Sequence, residues 1–537
     1  MLFAVRSAAA LHRVLDVLPV FEGDHRVRRL FTLAPGSAFG VDALAALEGA
    51  RAGTVPWDEA VTESYDLIVA ASPKGELHLL HGPLALLPHG AGFNKSLEGE
   101  GAADSASGLD PLYLLRPDDG RLLAALHALA HPEQIDRLAD RCPPARERAV
   151  VVGDPTLDRL LESRTRRDRY RAALGTGRRR LVVLVSTWGP DALLVRRPAL
   201  ASRLATELPL DSYQLAVVAH PNTHSEPGTF DLAERLPPEA FLARPHEEWA
   251  TLLVAADAVV TDHGSTALYA AALGRAVVSA YDGSAELLPA TPMARLLDAA
   301  PRLPAAADRP GALLGELLDE LLDGHPPEGV REAARAAFAD DALGHSLDRL
   351  RTALYAHLEL PAGDQPPPVP RLLPSPRRPL DTPAVFAVRI DVTPEGVVEV
   401  ERRPVRTDVP AHHVAAEEDA VQVRYARQAA VLYRRDADPA AAARWTAEAL
   451  DRYPSCRTAA VLLSPELCLV RRRAAPGTTL TVRISTGRGP GAVDPATALS
   501  AVHARPSARP GDTVNFRAGN VICAAHLLNE PGEAPLP

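Results

Sequence analysis

Residues 258–278 read AVVTDHGSTALYAAALGRAVV. The apolar run at its start predicts a buried strand ending at Val260. A polar turn follows, built from Thr261, Asp262, His263, Gly264, Ser265 and Thr266, and an alanine-rich helix begins near Ser265. After Gly274 and Arg275 a second apolar run opens the next strand. Strand, turn, helix and strand in so short a span mark a parallel β/α unit. The first turn of such a helix leaves backbone N–H groups unpaired at the positive end of a dipole. Gly264 would let a ligand approach the backbone, and Ser265 and Thr266 add hydroxyls. Together they suit a phosphate or diphosphate. The plainer reading is a Ser or Asp side chain capping a helix.

The same alternation extends on both sides. AVVVGDP (149–155), RLVVLVSTWGP (180–190), YQLAVVAHPN (213–222) and AFLARP (240–245) predict strands upstream, with LDRLLESRTRRDRYRAALG (157–175) as a charged helix. Downstream, AVVSAYD (276–282) predicts a strand, and GALLGELLDELLDG (311–324) and VREAARAAFAD (330–340) predict helices. Nearer the start, LFAVRS (2–7), RRLFTLA (28–34), GTVPW (53–57) and DLIVAAS (66–72) predict strands. LHRVLDVLPVF (11–21) and VDALAALEGA (41–50) predict helices, and GRLLAALHALAHPEQIDRLADR (120–141) reads as one amphipathic stretch. The expected class is α/β: two Rossmann-like lobes, 1–145 and 146–360, with a cleft between them. In such sheets ligands sit outside the carboxyl ends of the strands.

Residues 361–384, PAGDQPPPVPRLLPSPRRPLDTPA, predict a stiff extended linker rather than a packed element. Residues 385–537 predict a small α+β or mostly-β accessory domain. FAVRIDVTPEGVVEVERRPV (386–405) reads as a hairpin and AAARWTAEALDRY (441–453) as a helix. AAVLLSP, ELCLVRRR, TTLTVRIS, TVNFRA and VICAAHLL read as short strands. His412, His413, His503 and Asn515 are polar candidates there, read as members of solvated loops.

A chain of 537 residues calls for two or three domains. A formal net charge of -10 speaks against a nucleic-acid partner but leaves room for a local basic pocket. The weight of Ala, Arg, Leu and Pro points to a GC-rich, actinobacterial-type coding bias. Cys142, Cys456, Cys468 and Cys523 form no CxxC pair, so buried free thiols are expected and a metal site is not. Arg6, His12, Arg13 and Asp16 interrupt the apolar start, which excludes it as a signal peptide or membrane span. The expectation is a cytoplasmic protein, with peripheral contact at the inner membrane face and self-association left open.

Three further clusters follow predicted strands. In LALLPHGAGFNKSLEG (84–99), His89 suits proton transfer near neutrality, Lys95 could meet a phosphate, and Gly90, Gly92 and Asn94 accompany them. The polar run 96–110 that follows reads as a lid over the cleft. In AHPN, His220 could donate a proton to a leaving phosphate, next to Pro221 and Asn222; His224 is expected to be exposed. In STW, Ser186, Thr187 and Trp188 could contact phosphate or acceptor. The plainer readings are a capping histidine, a turn set by Pro221 and a structural Trp.

The order HG…K, STW, AHPN, TDHGS…GRAVV resembles the CDP-glycerol glycerophosphotransferase family of teichoic-acid-type enzymes, over about residues 60–300. The resemblance implies a GT-B fold in a transferase of cell-wall polymer synthesis. It implies a nucleoside-diphosphate donor, CDP-linked, as substrate, with no cofactor or metal and with a hydroxyl acceptor, soluble or lipid-linked. It makes His89 the base and places His220 near the diphosphate. Thr261, Asp262, Gly264, Ser265 and Thr266 become the diphosphate turn, with Ser186 and Thr187 on the donor side. Gly90, Asn94, Lys95, Trp188 and Asn222 fall on the acceptor or phosphate side. The chain departs from the family pattern at HGAGFNK and at Gly264, which replaces a serine. Another GT-B glycosyltransferase, a UDP-sugar 2-epimerase and a non-catalytic GT-B-like binding module remain alternatives.

Overall fold

The structure is a computed structural model that describes residues 1–36, 47, 52–88, 90–97, 102, 105–225, 228–245, 248–281, 283–303, 313–361, 366–377, 385–405, 410–420, 423–486 and 493–529. His89 and, apart from Leu47, the helix expected at 41–50 lie outside the described residues.

The first sheet contains β1 (Leu2–Val5), β2 (Leu30–Leu33), β3 (Ile68–Ala70), β4 (Leu84–Leu86), β5 (Leu126–Leu129) and β6 (Ala149–Val151), all parallel, in the order β2-β1-β3-β4-β5-β6. The inner strands β1, β3, β4 and β5 are buried throughout, and β1, β3 and β4 read as continuous apolar runs, as in helix-covered parallel sheets, while β5 carries one buried histidine, His127. The stretch 120–141 is not one amphipathic helix. Its first half supplies β5, and the helix Pro132–Arg141 starts only after His131, whose Nδ1 accepts from Glu133 N at 3.2 Å. The expected strand at 53–57 reduces to a single bridge, Thr54 to Phe31, before the short helix Trp57–Ala60.

The second sheet contains β7 (Arg180–Ser186), β8 (Tyr213–Ala219), β9 (Phe241–Leu242), β10 (Ala258–Thr261) and β11 (Ala276–Ser279), parallel in the order β11-β10-β7-β8-β9. Sheet membership does not follow a division at 145/146, because β6 completes the first sheet. The helix Ser346–His357 also returns to the first lobe, where Leu347, Leu350, Leu354 and Tyr355 join its core. The chain thus passes from lobe to lobe near Gly153 and back near Gly344. A Cβ on Gly153 (φ +93°) would stand 2.9 Å from Ala342 Cβ. Asp158 accepts from Gly344 N at 2.7 Å and Ser346 N at 3.0 Å, so the two passages clasp each other.

The C-terminal region is not a small domain but a closed barrel of nine strands. These are β12 (Val385–Val392), β13 (Val398–Pro404), β14 (His413–Glu417), β15 (Val431–Arg435), β16 (Thr458–Ser464), β17 (Leu467–Arg472), β18 (Ala475–Thr486), β19 (Thr513–Ala518) and β20 (Val521–Leu528). The expected hairpin is β12–β13, with Gly396 at φ +85° in its turn. Closure comes from the parallel pairing of β13 with β19, Val398 opposite Phe516. The helix Pro495–His503 is almost wholly buried and packs in the core that the strands' inner residues form. His413 and His503 are therefore not loop residues. His413 Nε2 is 3.1 Å from Ser500 Oγ, and His503 Nδ1 is 2.8 Å from Thr458 Oγ1. All four cysteines are buried and free.

The barrel docks where β7 and β8 begin. Buried Arg402 binds Asp211 (Nη2–Oδ1 2.8 Å) and Asp494 (Nη1–Oδ2 2.7 Å), and Thr497 donates to Asp211. A Cβ on Gly519 would strike Asp211 O at 2.5 Å, so β19 and β20 turn against the lobe's backbone. The proline-rich segment is extended but also packed. Arg26 donates to Pro361 O, Arg159 to Arg371 O and Tyr170 OH to Leu373 O, and Leu373 joins the second lobe's core. No helix among the described residues is long and apolar enough to cross a membrane.

Candidate functional site

β7 and β10 are the neighbouring strands at which the second sheet reverses its winding, and their carboxyl ends carry STW and TDHGST. Both turns border a cavity of about 540 Å³ between the lobes. Asp262 knits them together. Its Oδ2 accepts from Thr187 N and Leu193 N, each at 2.9 Å, and its Oδ1 from Gly264 N at 2.9 Å. Only 2% exposed, this carboxylate shapes the turn and does not line the cavity. Thr261 is likewise turned away, its hydroxyl donating to Asp262 O at 3.2 Å. Gly264 sits in a tight space, where a Cβ would lie 3.2 Å from Asp262 Oδ1 and 3.3 Å from Thr187 Cβ.

Ser265 does not cap its helix. It already has helical angles (φ -60°, ψ -13°) and makes no side-chain cap bond to the helix Thr266–Ala272. Ser265 and Thr266 are half-buried and line the cavity instead. A Cβ on Gly90 would stand 3.0 Å from Ser265 Oγ, which puts Gly90 of the first lobe in contact with Ser265.

Ser186, Thr187, Trp188, His220 and Asn222 line the same space. His220 Nδ1 accepts from Asn222 N at 3.2 Å, and its ring lies 6.1 Å from that of Trp188. His224 is buried, against expectation, because it sits in the short helix Pro221–Ser225 rather than a loop. Asn94 borders the cavity, but its amide is engaged with Ala91 O at 3.0 Å and Met293 N at 3.3 Å. It holds the loop after β4 onto the second lobe. Lys95 reaches Glu286 Oε2 at 3.2 Å and Thr187 Oγ1 at 3.3 Å, with its Nζ 5.6 Å from the Trp188 ring centre. Glu286 also meets His263 Nε2 at 3.1 Å, while His263 Nδ1, buried, has no partner.

Beneath the cavity runs a buried polar chain that the sequence does not announce. Arg13 forks onto Asp154 (Nη1–Oδ1 2.7 Å, Nη2–Oδ2 2.6 Å) and donates through Nε to Pro88 O at 2.9 Å. Tyr269 OH, on the Ser265 helix, donates to Asp154 Oδ2 at 3.0 Å. Thr156 Oγ1 accepts from Arg13 at 2.6 Å and donates to Asp16, which Arg159 also holds. Burial opposes the charge on Arg13, yet Asp154 outweighs it and its pKa rises. Burial, then the charge of Asp154, raises the Tyr269 pKa, so its hydroxyl stays a donor. His127 on β5 lines the cavity at 4% exposure, its pKa lowered to about 4 by burial.

Tyr269 was within reach of sequence reasoning, one helical turn beyond Ser265. Glu286 lies in a loop with no motif, and Arg13 sits in a helix where a charged residue reads as solvated. Among the described lining residues five are Arg or Lys and one, Asp16, is a carboxylate. Asp154, Glu286 and Glu248 stand behind Arg13, Lys95 and Arg244 and balance much of that charge, so the cavity offers an anion cationic donors but no large net positive field.

Two Rossmann-like lobes close on this cleft. A variant of the wall teichoic acid polymerase TagF aligns over 67% of this chain and 88% of its own, at 14% identity and a TM-score of 0.47. UDP-GlcNAc 2-epimerase from Neisseria meningitidis, bound to UDP-GlcNAc, aligns over 66% and 99%, at 12% and 0.40. Anabaena HepE, in complex with UDP-glucose, aligns over 67% and 99%, at 15% and 0.42. These are likenesses of fold. No family model and no curated protein matches the chain.

Proposed function

We propose that the chain is a transferase that moves a glycerol-phosphate-type group from a CDP-activated donor to a hydroxyl acceptor. The observation that carries this reading is the uncapped Ser265 turn at the second lobe's reversal point, which lines the cavity between the lobes and touches Gly90 of the first lobe. The donor diphosphate would lie on the N–H groups and hydroxyls of Ser265 and Thr266, with Lys95 leaving Glu286 for the phosphate charge. The order of the four motifs favours CDP over other nucleotides.

In the reaction the acceptor oxygen attacks the phosphorus that bears glycerol. The P–O bond to the CMP phosphate breaks and CMP leaves. His89 is proposed to take the acceptor's proton, and His220 to stabilise the departing phosphate. Such a transfer depends on positioning and charge stabilisation, so no covalent enzyme intermediate is invoked.

The test is a thermal-shift screen of CDP and UDP followed by CMP and UDP release from CDP-glycerol and UDP-sugars. CDP stabilisation with CMP release is expected. UDP release without CMP release overturns the CDP assignment. Binding without turnover, unchanged by His220→Ala, overturns the transferase itself.

A further inference from the structure

The first sheet has a reversal point of its own, between β1 and β3. Open α/β sheets bind ligands outside the strand ends at such points. Arg6 follows β1 directly, and Lys74 stands in the loop after β3. A Cβ on Gly75 would come 3.3 Å from Arg6 Cδ, so the loop beside Lys74 rests on the arginine's stem. Arg6 donates through Nη2 to Gly36 O, but its Nε is buried with no hydrogen-bond partner. Lys74 Nζ donates to Ser107 Oγ at 3.1 Å and lies 5.4 Å from the Tyr113 ring centre.

The helix start next to Arg6 lines the cavity as well: Ser7, the N-cap whose hydroxyl accepts from Ala10 N, with Ala9 and Ala10 in the first turn of the helix Ala8–Val17. His127, on β5, also lines the cavity, with Nε2 buried and no hydrogen-bond partner. The donor turn is on the other lobe and uses none of these groups.

We propose that this half of the cleft is a second anion subsite, in which Arg6 and Lys74 hold a phosphate ester carried by the acceptor. The guanidinium and the ammonium supply charge-assisted donors, and the helix start adds its dipole. A phosphorylated hydroxyl compound would then bind with its free hydroxyl towards the donor phosphorus. The word acceptor rests on the transferase reading above; the anion subsite rests only on the first lobe.

The experiment titrates the full chain calorimetrically with glycerol 3-phosphate and with glycerol, each with and without saturating CDP. Glycerol 3-phosphate should bind alongside CDP, and glycerol at least tenfold more weakly. Arg6→Gln and Lys74→Gln should each weaken glycerol 3-phosphate at least tenfold and leave CDP within twofold. Arg6→Lys should keep part of the affinity. If Arg6→Gln does not fold, Lys74→Gln gives the same reading from a loop. Competition between glycerol 3-phosphate and CDP overturns the subsite, as does binding indifferent to both variants or no binding at all. Arg6-dependent binding of glycerol 3-phosphate without any CDP binding upholds the subsite and overturns the donor reading.

Discussion

Arg13 and Arg402 are both buried arginines gripped by carboxylates, yet they serve opposite ends of the second lobe. Arg402 lies where β7 and β8 begin and ties the barrel to Asp211. Arg13 lies beside the helix that follows β10 and ties Asp154 to Pro88. β8 alone, at seven residues, separates the two ends by about 20 Å. The difference lies in what their partners touch. Arg402 reaches nothing that borders the cavity. Arg13 is linked through Pro88 to the loop after β4 and through Asp154 and Tyr269 to the Ser265 helix. Equal burial therefore predicts similar costs to stability and different effects on ligands.

The largest effect should come from Arg402→Met, which strands two carboxylates. A loss of about 3–5 kcal/mol is expected in denaturant unfolding, with the CDP affinity of the folded protein unchanged. Arg13→Met should cost about 3 kcal/mol and also weaken CDP at least tenfold. Equal CDP affinity in the two variants would erase the distinction. Tyr269→Phe removes one bond to the Asp154 carboxylate, so about 2 kcal/mol and a smaller loss of CDP affinity are expected by the same assays.

Acid should act on the barrel through His413 and on the first sheet through His127, whose pKa values burial lowers alike. Burial, then His503 and His412, lowers the His413 pKa from 6.5 to about 3. Between those values the unfolded chain binds a proton that the folded barrel refuses. Stability is full above about pH 6.5 and falls as pH drops towards 3, by up to ~1.4 kcal/mol per unit. A pH series of unfolding curves, with His413→Asn flattening the slope, checks this. Smallest in stability is Ser265→Ala, within about 0.5 kcal/mol because the hydroxyl caps nothing. CDP affinity should still fall several-fold in titration, and no change would remove Ser265 from the donor site.

Much of this fold is legible in the sequence, and the limits have physical causes. β7, β8, β10 and β11 are apolar runs ended by polar turns, a local pattern that needs no partner to be recognised. β5 hides inside an amphipathic-looking stretch because Leu126–Leu129 continues the helical spacing of its neighbours. The barrel's individual strands were legible and its closure was not, since pairing Val398 with Phe516 spans most of the domain. In the site, the turn was found but Asp262 was misread. An acidic residue in a polar turn looks like a ligand contact until three backbone N–H groups are seen to fill it. Arg6 and Lys74 belong to no motif, because the sheet's strand order alone brings the ends of β1 and β3 together.

The clasp of Gly153 and Asp158 on Ala342, Gly344 and Ser346 joins the lobes along one short line. A second line of contacts joins the lobes at the mouth of the cleft, where Asn94 meets Met293 and Lys95 and Ser96 meet Glu286. Opening the cleft therefore means breaking these contacts, and the separation of Gly90 from Ser265 would report it. The proline segment, fastened to the first lobe at Pro361 and to the second at Leu373, is a third tie between the lobes.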